Sequence, residues 1–207
     1  MTTTTTAQDL VLVALDVPHE QRAEPGALSL ALAGAEAIDL VMRGALSVDG
    51  DRMVPGPRRP ADDGLLDRAA ATLVRNEPYE TVENWLWRRG PGLAAAYVAE
   101  LERSGLIDRP RPKRHKFWAR PADPDRRADV LARRAAQARA ASCEPVLVEL
   151  LAATRRQDTS SWQRRDDPGD DAVVTVLAAV GEAVTHLAAA RLRRAIEIDA
   201  FDNIWRA

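Results

Sequence analysis

The sequence predicts a mainly α-helical protein, built as a single helical domain around a buried central helix with two short β-hairpins. The chain has 207 residues, enough for one domain with a substantial core. Its composition is 46% hydrophobic but only 4% aromatic, so packing relies on Leu, Val and Ala and favours helices. Residues 27–43 are apolar on nearly every face, which is typical of a helix buried on all sides. Asp49-Gly50 between two short β-capable runs predicts the first hairpin, over 45–54.

The N-terminal part of the chain is expected to contain a disordered lead and then the start of the domain. We expect residues 1–8, MTTTTTAQ, to be a disordered lead without the features of a signal peptide, and residues 9–207 to form the domain. Residues 9–17 are apolar enough for a short helix or a buried strand, and periodicity does not decide between the two. Gly44 directly follows the central helix, at a position where a capping glycine is common.

The middle of the chain is predicted to form three further helices. Four apolar residues between 65 and 73 share one helical face, and Asp62 or Asp63 precedes them as the N-cap. Pro78 is expected to begin a short helix over YETVENWLWRR, which the glycines of the following Gly-Pro-Gly turn end. A helix over 93–104 should end at Gly105.

The C-terminal part is predicted to contain the second hairpin and three helices. Residues 106–120 read as a hairpin with a Pro-rich, basic tip. A polar helix follows over about 123–141, and an amphipathic helix over 145–156. A long helix should end near Ile196, because apolar residues recur at three- and four-residue spacing from Val173 onward.

Residues that usually carry catalysis or bind metal are sparse and scattered. His19, His115 and His186 lie in different predicted elements without metal-ligand spacing, and Cys143 is the single cysteine. The sequence has no phosphate-binding loop, dinucleotide-binding motif or nucleophile elbow. We therefore expect no enzyme activity, no metal and no cofactor. The lone cysteine fits a reducing cytosol, and the preference for Arg over Lys is typical of a GC-rich bacterial source.

The charge feature that stands out is the segment 109–120, RPRPKRHKFWAR, which holds six positive residues and no acid. Clustered cations of this kind suit phosphate-bearing partners, and a Trp beside them suits a membrane interface. The candidate lipid-binding residues here are Lys113, Arg114, Lys116 and Trp118. The competing interpretation is a solvated hairpin tip whose aromatic residues pack onto the domain.

The segment 80–87, ETVENWLW, places two Trp residues two positions apart. In a helix, Val82, Trp85 and Leu86 share an inward side, whereas Trp87 points away from it. We therefore predict that Trp85 is structural and that Trp87, next to Arg88-Arg89, is a candidate contact residue.

The order of these segments resembles the Golgi phosphoprotein 3-like family. The matching segments are LVLVALD (10–16), ALAGAEAIDLVMRGAL (31–46), LLD (65–67), ETVENWL (80–86), LERSGLI (101–107) and KRHKFWARPADP (113–124). The similarity spans roughly residues 9–200, and ETVENWL and LVMRGAL are its most specific parts. The resemblance implies a mainly helical domain around a central buried helix. It also implies a non-catalytic adaptor that recognises phosphatidylinositol 4-phosphate.

The resemblance also implies where a lipid headgroup would bind. In eukaryotic members the pocket uses a Trp before the central helix, an Arg at its start, and two Arg from the helix preceding the Gly-Leu-Ile turn. Lining up the motifs places other residue types at all four positions. They are Glu24, Ala33, Pro91 and Ala94.

Nearby cations offer a replacement for the family's headgroup residues. Arg22, Arg88 and Arg89 lie within a few residues of the substituted positions, and Trp87 lies at the rim of the implied pocket. We expect these residues to form a cationic patch for anionic lipid.

These observations predict a non-catalytic, peripheral membrane adaptor-type protein of the bacterial cytoplasm that binds anionic lipid headgroups. The alternative is a protein-interaction or oligomerisation module without lipid binding, in which the hairpin 106–120 mediates self-association. A weaker alternative is a winged-helix DNA-binding protein with 93–104 as its recognition helix. The net charge of −2 and the neutral-to-acidic surface of that helix argue against nucleic acid as a partner.

Overall fold

Seven helices and one two-stranded sheet form the described part of the protein. The computed structural model describes residues 5–16, 23–60, 63–107, 138, 145–155 and 170–205. The predicted mainly α-helical fold is confirmed. The helices are α1 (Thr6–Asp16), α2 (Pro25–Met42), α3 (Gly64–Ala71), α4 (Val82–Arg89), α5 (Leu93–Arg103), α6 (Pro145–Arg155) and α7 (Asp171–Trp205), and the strands are β1 (Leu46–Asp49) and β2 (Arg52–Pro55).

The α2 helix is the central element, as the sequence predicts. It packs against each of the other six described helices and against β1. Thirteen of its residues are buried, from Ala27 to Leu40, because its apolar residues cover every face. The helix ends where expected, with Arg43 as C-cap and Gly44 at a positive φ of 63°.

Close approach between α2 and α7 depends on a glycine. A Cβ atom on Gly34 would overlap Cγ2 of Val180, and Leu150 of α6 lies close by. Val180 is fully buried. Because residue 34 has no side chain, the backbone of α2 packs directly against the side chain of Val180 on α7.

The first hairpin is confirmed. Strands β1 and β2 pair antiparallel with Leu46 opposite Pro55 and Asp49 opposite Arg52. Because Asp49 pairs with Arg52, the two-residue turn is Gly50-Asp51 rather than the expected Asp49-Gly50, and Gly50 takes the positive φ of 60° at its first position. The second predicted hairpin continues beyond Ile107 into residues outside the described part, as does most of the polar helix predicted over 123–141, of which Ala138 is described and helical.

The start of the domain lies earlier than predicted. Helix α1 begins at Thr6, so the disordered lead expected over 1–8 is wrong for residues 5–8, and the apolar segment 9–17 is helical rather than a strand. The cause is a buried carboxylate on α2. Asp39 accepts hydrogen bonds from the backbone N and Oγ1 of Thr6 and from the backbone N of Ala7, and so caps α1 from another helix.

The start of α4 also differs from the prediction. The helix begins at Val82 rather than near Pro78, because Thr81 is its N-cap and its Oγ1 accepts from the backbone N of Asn84. The residues just before it pair with the hairpin, since Met53 N donates to Glu80 O over 2.8 Å. The N-cap of α3 is Asp63, one of the two predicted candidates.

The long helix α7 is nine residues longer than predicted, because it ends at Trp205 rather than near Ile196 (205 − 196). Its first half carries a buried stripe that includes Val176, Val180 and Val184. From Ala188 to Ile198 every residue is exposed. The helix therefore packs on the domain through its first half.

Two described helices are long and apolar enough to cross a bilayer by length and composition alone. They are Pro25–Met42, of which 72% is buried inside the protein, and Asp171–Ile198, of which 33% is buried. A core helix of a globular domain passes the same test. The packing of α2 on all sides is that of a core helix.

Candidate functional site at the start of the central helix

A groove of about 270 Å³ lies where α2 begins, between the turn that joins α4 to α5 and the middle of α7. We call it the α2 groove. Among the lining side chains, Ser29 carries a hydroxyl group and Trp87 an indole N–H, and the rest are apolar. The lining residues are Pro25, Gly26, Ser29, Leu30, Trp87, Gly90, Pro91, Gly92, Ala94, Ala95 and Leu187.

The Gly-Pro-Gly turn forms one wall of the α2 groove because its glycines permit a close approach. A Cβ on Gly90 would lie 2.8 Å from Leu86 O and 3.3 Å from a methyl group of Leu30. Gly92 has a φ of 75°, a conformation that side chains disfavour. The turn is joined to α2 by a hydrogen bond from Ala94 N to Ser29 Oγ over 3.2 Å. The hydroxyl of Ser29 therefore already accepts a hydrogen bond within the fold.

An ion pair lies at the lip of the groove. Arg191 of α7 pairs with the carboxylate of Glu24, the N-cap residue of α2, and both side chains are largely exposed, at 44% and 66%. The guanidinium lies over the helix start, since its Nη2 would be 2.6 Å from a Cβ on Gly26. Exposed pairs of this kind contribute little free energy and exchange partners readily.

The two Trp residues of ETVENWLW lie on different sides of α4, one in the core and one at the surface. Trp85 is fully buried with Val82 and Leu86, and its Nε1 donates to Ala33 O over 3.0 Å. Trp87 is 38% exposed and lines the α2 groove. The prediction that the aromatic pair splits into a structural and a solvent-facing residue is confirmed.

The two arginines next to Trp87 do not line the groove. Arg88 donates two hydrogen bonds to Glu80, of 2.7 and 2.6 Å, and its guanidinium carbon lies 5.3 Å from the ring centre of Trp85. Arg89 donates to both carboxylate oxygens of Glu36 over 2.7 and 2.8 Å. The structure gives both cations carboxylate partners within the fold, because they lie on other sides of α4 than Trp87.

The partner of Arg89 is a carboxylate in the core. Glu36 has no exposed side-chain surface, and it also accepts a hydrogen bond from the hydroxyl of Tyr97 over 3.1 Å. Burial raises the pKa of Glu36, and the hydrogen bonds from Arg89 oppose that effect. This cluster joins α2, α4 and α5, and it is structural.

Three of the four positions implied by the family resemblance meet at the α2 groove. Pro91 and Ala94 line it, and Glu24 stands at its lip. Ala33 does not belong with them. It lies about 12 Å further along α2, it is fully buried, and its carbonyl binds Trp85. The assignment of Ala33 to a headgroup position is therefore wrong for this fold.

The remaining predicted contact residues lie outside the described part of the chain. They are Arg22, Lys113, Arg114, Lys116 and Trp118. Among the residues that the structure does describe, no group of three or more His, Cys, Asp or Glu side chains is placed to bind a metal ion.

The position of Arg191 at the lip of the groove could not be predicted from the sequence. Arg191 lies 167 residues from Glu24 (191 − 24), in a helix that reads as an ordinary surface segment at that point. The acidic N-cap at Glu24 and the arginine-rich stretch 191–194 were both visible, but no pattern in the sequence connects them.

Comparison with known families identifies the family to which this chain belongs. A family model described as Golgi phosphoprotein 3 matches residues 7–199. A search of curated proteins and a search of solved structures each found no match. The match covers nearly the whole chain, from the first turn of α1 into the exposed half of α7. The protein therefore belongs to the Golgi phosphoprotein 3 family.

Proposed function

We propose that this protein is a non-catalytic, adaptor-type protein of the cytoplasm that attaches peripherally to membranes by binding anionic lipid at the α2 groove. The family is one of phosphatidylinositol 4-phosphate adaptors, and that lipid is the first to test. The observation that carries the proposal is the convergence of Glu24, Pro91 and Ala94 beside the exposed Trp87.

The cation for the headgroup is Arg191 rather than a residue at a family position. Neither Pro91 nor Ala94 carries a charge, but the guanidinium of Arg191 lies at the lip and is partly exposed. A lipid phosphate competes with the Glu24 carboxylate for it, and charge-assisted hydrogen bonds to phosphate are strong. The first amides of α2 have no partner inside the helix and add a favourable field for an anion.

Trp87 provides the interfacial contact. Its ring is partly exposed at the groove. Trp side chains are enriched at membrane–water interfaces, because the ring is apolar and its N–H bonds to water or headgroups.

Sedimentation with lipid vesicles tests the proposal. We expect the protein to pellet with phosphatidylcholine vesicles that contain phosphatidylserine or phosphatidylinositol 4-phosphate, and not with phosphatidylcholine alone. Arg191→Glu should lower the bound fraction severalfold, and Glu24→Gln should raise it because the competing carboxylate is removed. Trp87→Ala should also lower it.

The matched control is Arg103→Glu. This arginine is exposed at the far end of α5, where it pairs with Glu100, and the substitution changes the net charge as Arg191→Glu does. If both variants lose the same fraction of vesicle binding, the effect comes from net charge alone, and the α2 groove is not the lipid site. Binding to neutral and anionic vesicles alike would overturn the role of the headgroup.

The basic segment 109–120 extends the same proposal to a second lipid contact. Lys113→Glu with Lys116→Glu, and separately Arg22→Glu, should each weaken pelleting and make the remaining binding less sensitive to salt. If the segment instead mediates self-association, Phe117→Ala with Trp118→Ala should lower the mass in light scattering and leave pelleting unchanged.

A further inference from the structure

The lining of the α2 groove is chemically unlike a phosphate pocket. Its walls are Leu30, Leu187, Trp87, prolines, glycines and alanines, and its one hydroxyl, on Ser29, accepts a hydrogen bond from Ala94. A phosphate moved into such a groove would lose most of its hydration and meet few side-chain donors and no charged side chain in the lining, at a cost of several kcal/mol. The positive charge stands outside the groove, at the lip. The apolar and the cationic parts of the site are therefore separated.

This separation matches an amphiphile with an anionic end. A chain laid along Leu30 and Leu187 would bury apolar surface, and an anionic group at its end would reach Arg191. The volume of about 270 Å³ is close to the lower end of the range for small-molecule sites, about 300–1,000 Å³. The groove therefore holds part of one chain rather than a whole lipid.

We propose that the α2 groove binds an acyl-chain segment of an anionic lipid, with the headgroup held outside the groove by Arg191. This inference rests on the proposed function and reverses the headgroup-in-pocket arrangement that the family implies. The occupant is a lipid chain rather than an apolar peptide side chain, because an apolar lining with an ion pair at its lip suits a chain that ends in a single anion, and that anion can enter the Arg191–Glu24 pair.

Calorimetric titration with single-chain alkyl phosphates below their micelle concentrations tests the inference without any membrane. Affinity should rise about two- to fourfold with each added methylene, until the groove is filled. Inorganic phosphate, which has no chain, should show no measurable binding. The alkyl alcohol of equal length should bind more weakly than the alkyl phosphate, and Arg191→Gln should remove that difference.

A matched pair of substitutions on α5 locates the chain. Ala95 lines the groove and is exposed, whereas Ala99, one turn further along the same helix, is exposed and does not line it. Ala95→Phe should fill the groove and weaken decyl phosphate binding by about tenfold or more, while Ala99→Phe should leave it unchanged. Because both residues are on the surface, both variants should keep the far-UV dichroism of the parent.

The outcomes separate this inference from the proposed function. The chain site is overturned if alkyl phosphate affinity does not depend on chain length, or if Ala95→Phe and Ala99→Phe have equal effects. The membrane role still stands in that case, provided that vesicle binding depends on Arg191. Chain-dependent binding that Ala95→Phe abolishes, without any vesicle binding, supports the groove as an amphiphile site and removes the membrane role. Binding of inorganic phosphate as tight as that of decyl phosphate overturns the inference.

Discussion

At the scale of single residues, two carboxylates one turn apart on α2 connect the core to other elements. The carboxylate of Glu36 accepts hydrogen bonds from Arg89 of α4 and from Tyr97 of α5, and the carboxylate of Asp39 accepts them from the first turn of α1. Both are almost fully buried. Buried charges are tolerated only with partners, so each of these residues fixes where its partner element docks.

Arg89→Leu should destabilise the fold strongly. The change leaves Glu36 in the core without its cation, which costs about 3–5 kcal/mol when one partner of a buried pair is removed. Burial already raises the pKa of Glu36 above 4.5, and loss of Arg89 raises it further. The folded variant therefore favours the protonated acid, so the loss should be smaller near about pH 5 than at neutral pH. Urea unfolding at the two pH values measures both effects.

Arg88→Leu is the control for that variant. Its pair with Glu80 is partly exposed, at 42% for the Arg88 side chain and 9% for that of Glu80, so the expected cost is about 1–2 kcal/mol, below that of Arg89→Leu. Similar losses for the two neighbouring arginines would contradict the structural role assigned to Arg89.

Asp39 should make stability depend on pH in the opposite sense to an ordinary salt-bridged acid. Burial raises its pKa from 3.8 to about 6, against the hydrogen bonds from Thr6 and Ala7 that favour the carboxylate. The folded chain thus binds this proton more tightly than the unfolded chain. The contribution of Asp39 to the free energy of unfolding is therefore complete below about pH 3.8. It is lost as the pH rises through about 6, and the loss is roughly 3 kcal/mol.

Asp39→Asn isolates this effect. The variant has no group that titrates at the site, so its free energy of unfolding should fall less than that of the parent between about pH 4 and 7. Chemical denaturation across that range gives the two slopes. Parallel curves would show that Asp39 does not hold its proton in the folded state.

At the scale of elements, the contact between α2 and α7 depends on Gly34. Gly34→Ala gains helix propensity but drives a methyl group into Cγ2 of Val180. Overpacking of this kind costs about 1–3 kcal/mol, which outweighs the propensity gain of about 1 kcal/mol. Thermal unfolding should therefore show a net loss. Val180→Ala removes the opposing methyl, so the double variant should be more stable than the sum of the two single changes predicts.

Gly64→Ala is the matched control. Gly64 is also helical, at the start of α3, but nothing lies within 4 Å of its added Cβ. This substitution should be neutral or slightly stabilising, because only the unfolded-state entropy changes. A Gly34→Ala variant that behaves in the same way would contradict the close packing of α2 and α7.

The elements that were predicted well are those with local signals. The apolar run of α2, the turn of the hairpin at Gly50 and the cap at Asp63 depend on residues within a few positions of each other. The starts of α1 and α4 were predicted less well, because long-range contacts set them. Thr6 meets a carboxylate 33 residues away, and the residues before Val82 pair with β2.

The candidate site could be predicted only in part, because some of its features depend on local spacing and others on long-range contacts. Helical spacing separated Trp87 from Trp85, since both lie in one short helix. The ion pair that Arg89 forms within the fold could not be predicted from the sequence, because its partner Glu36 is 53 residues away. Ala33 was misplaced because alignment by motif gives no account of which side of α2 faces the core.

At the scale of the whole molecule, stability should be distributed unevenly along the two longest helices. Helix α2 contacts every other described helix, whereas α7 is exposed at every residue from 188 to 198 and touches the start of α2 there through the side chain of Arg191. Leu192, Ile196 and Ile198 are each more than half exposed. Few tertiary contacts therefore hold the second half of α7, and isolated helical segments of this length are marginal in water.

Native-state hydrogen exchange should show this gradient directly. The amides of residues 30–40 in α2 should exchange only through global unfolding, because the whole domain must open to expose them. The amides of 188–198 should exchange orders of magnitude faster, through local fraying of α7, and their rates should not change with denaturant at low concentrations. The first half of α7, around Val180, is the internal reference, since it belongs to the same helix but is buried. Equal protection of residues 176–184 and 188–198 would mean that another surface covers the end of α7 in solution, and it would overturn the division of this helix into a packed and an exposed half.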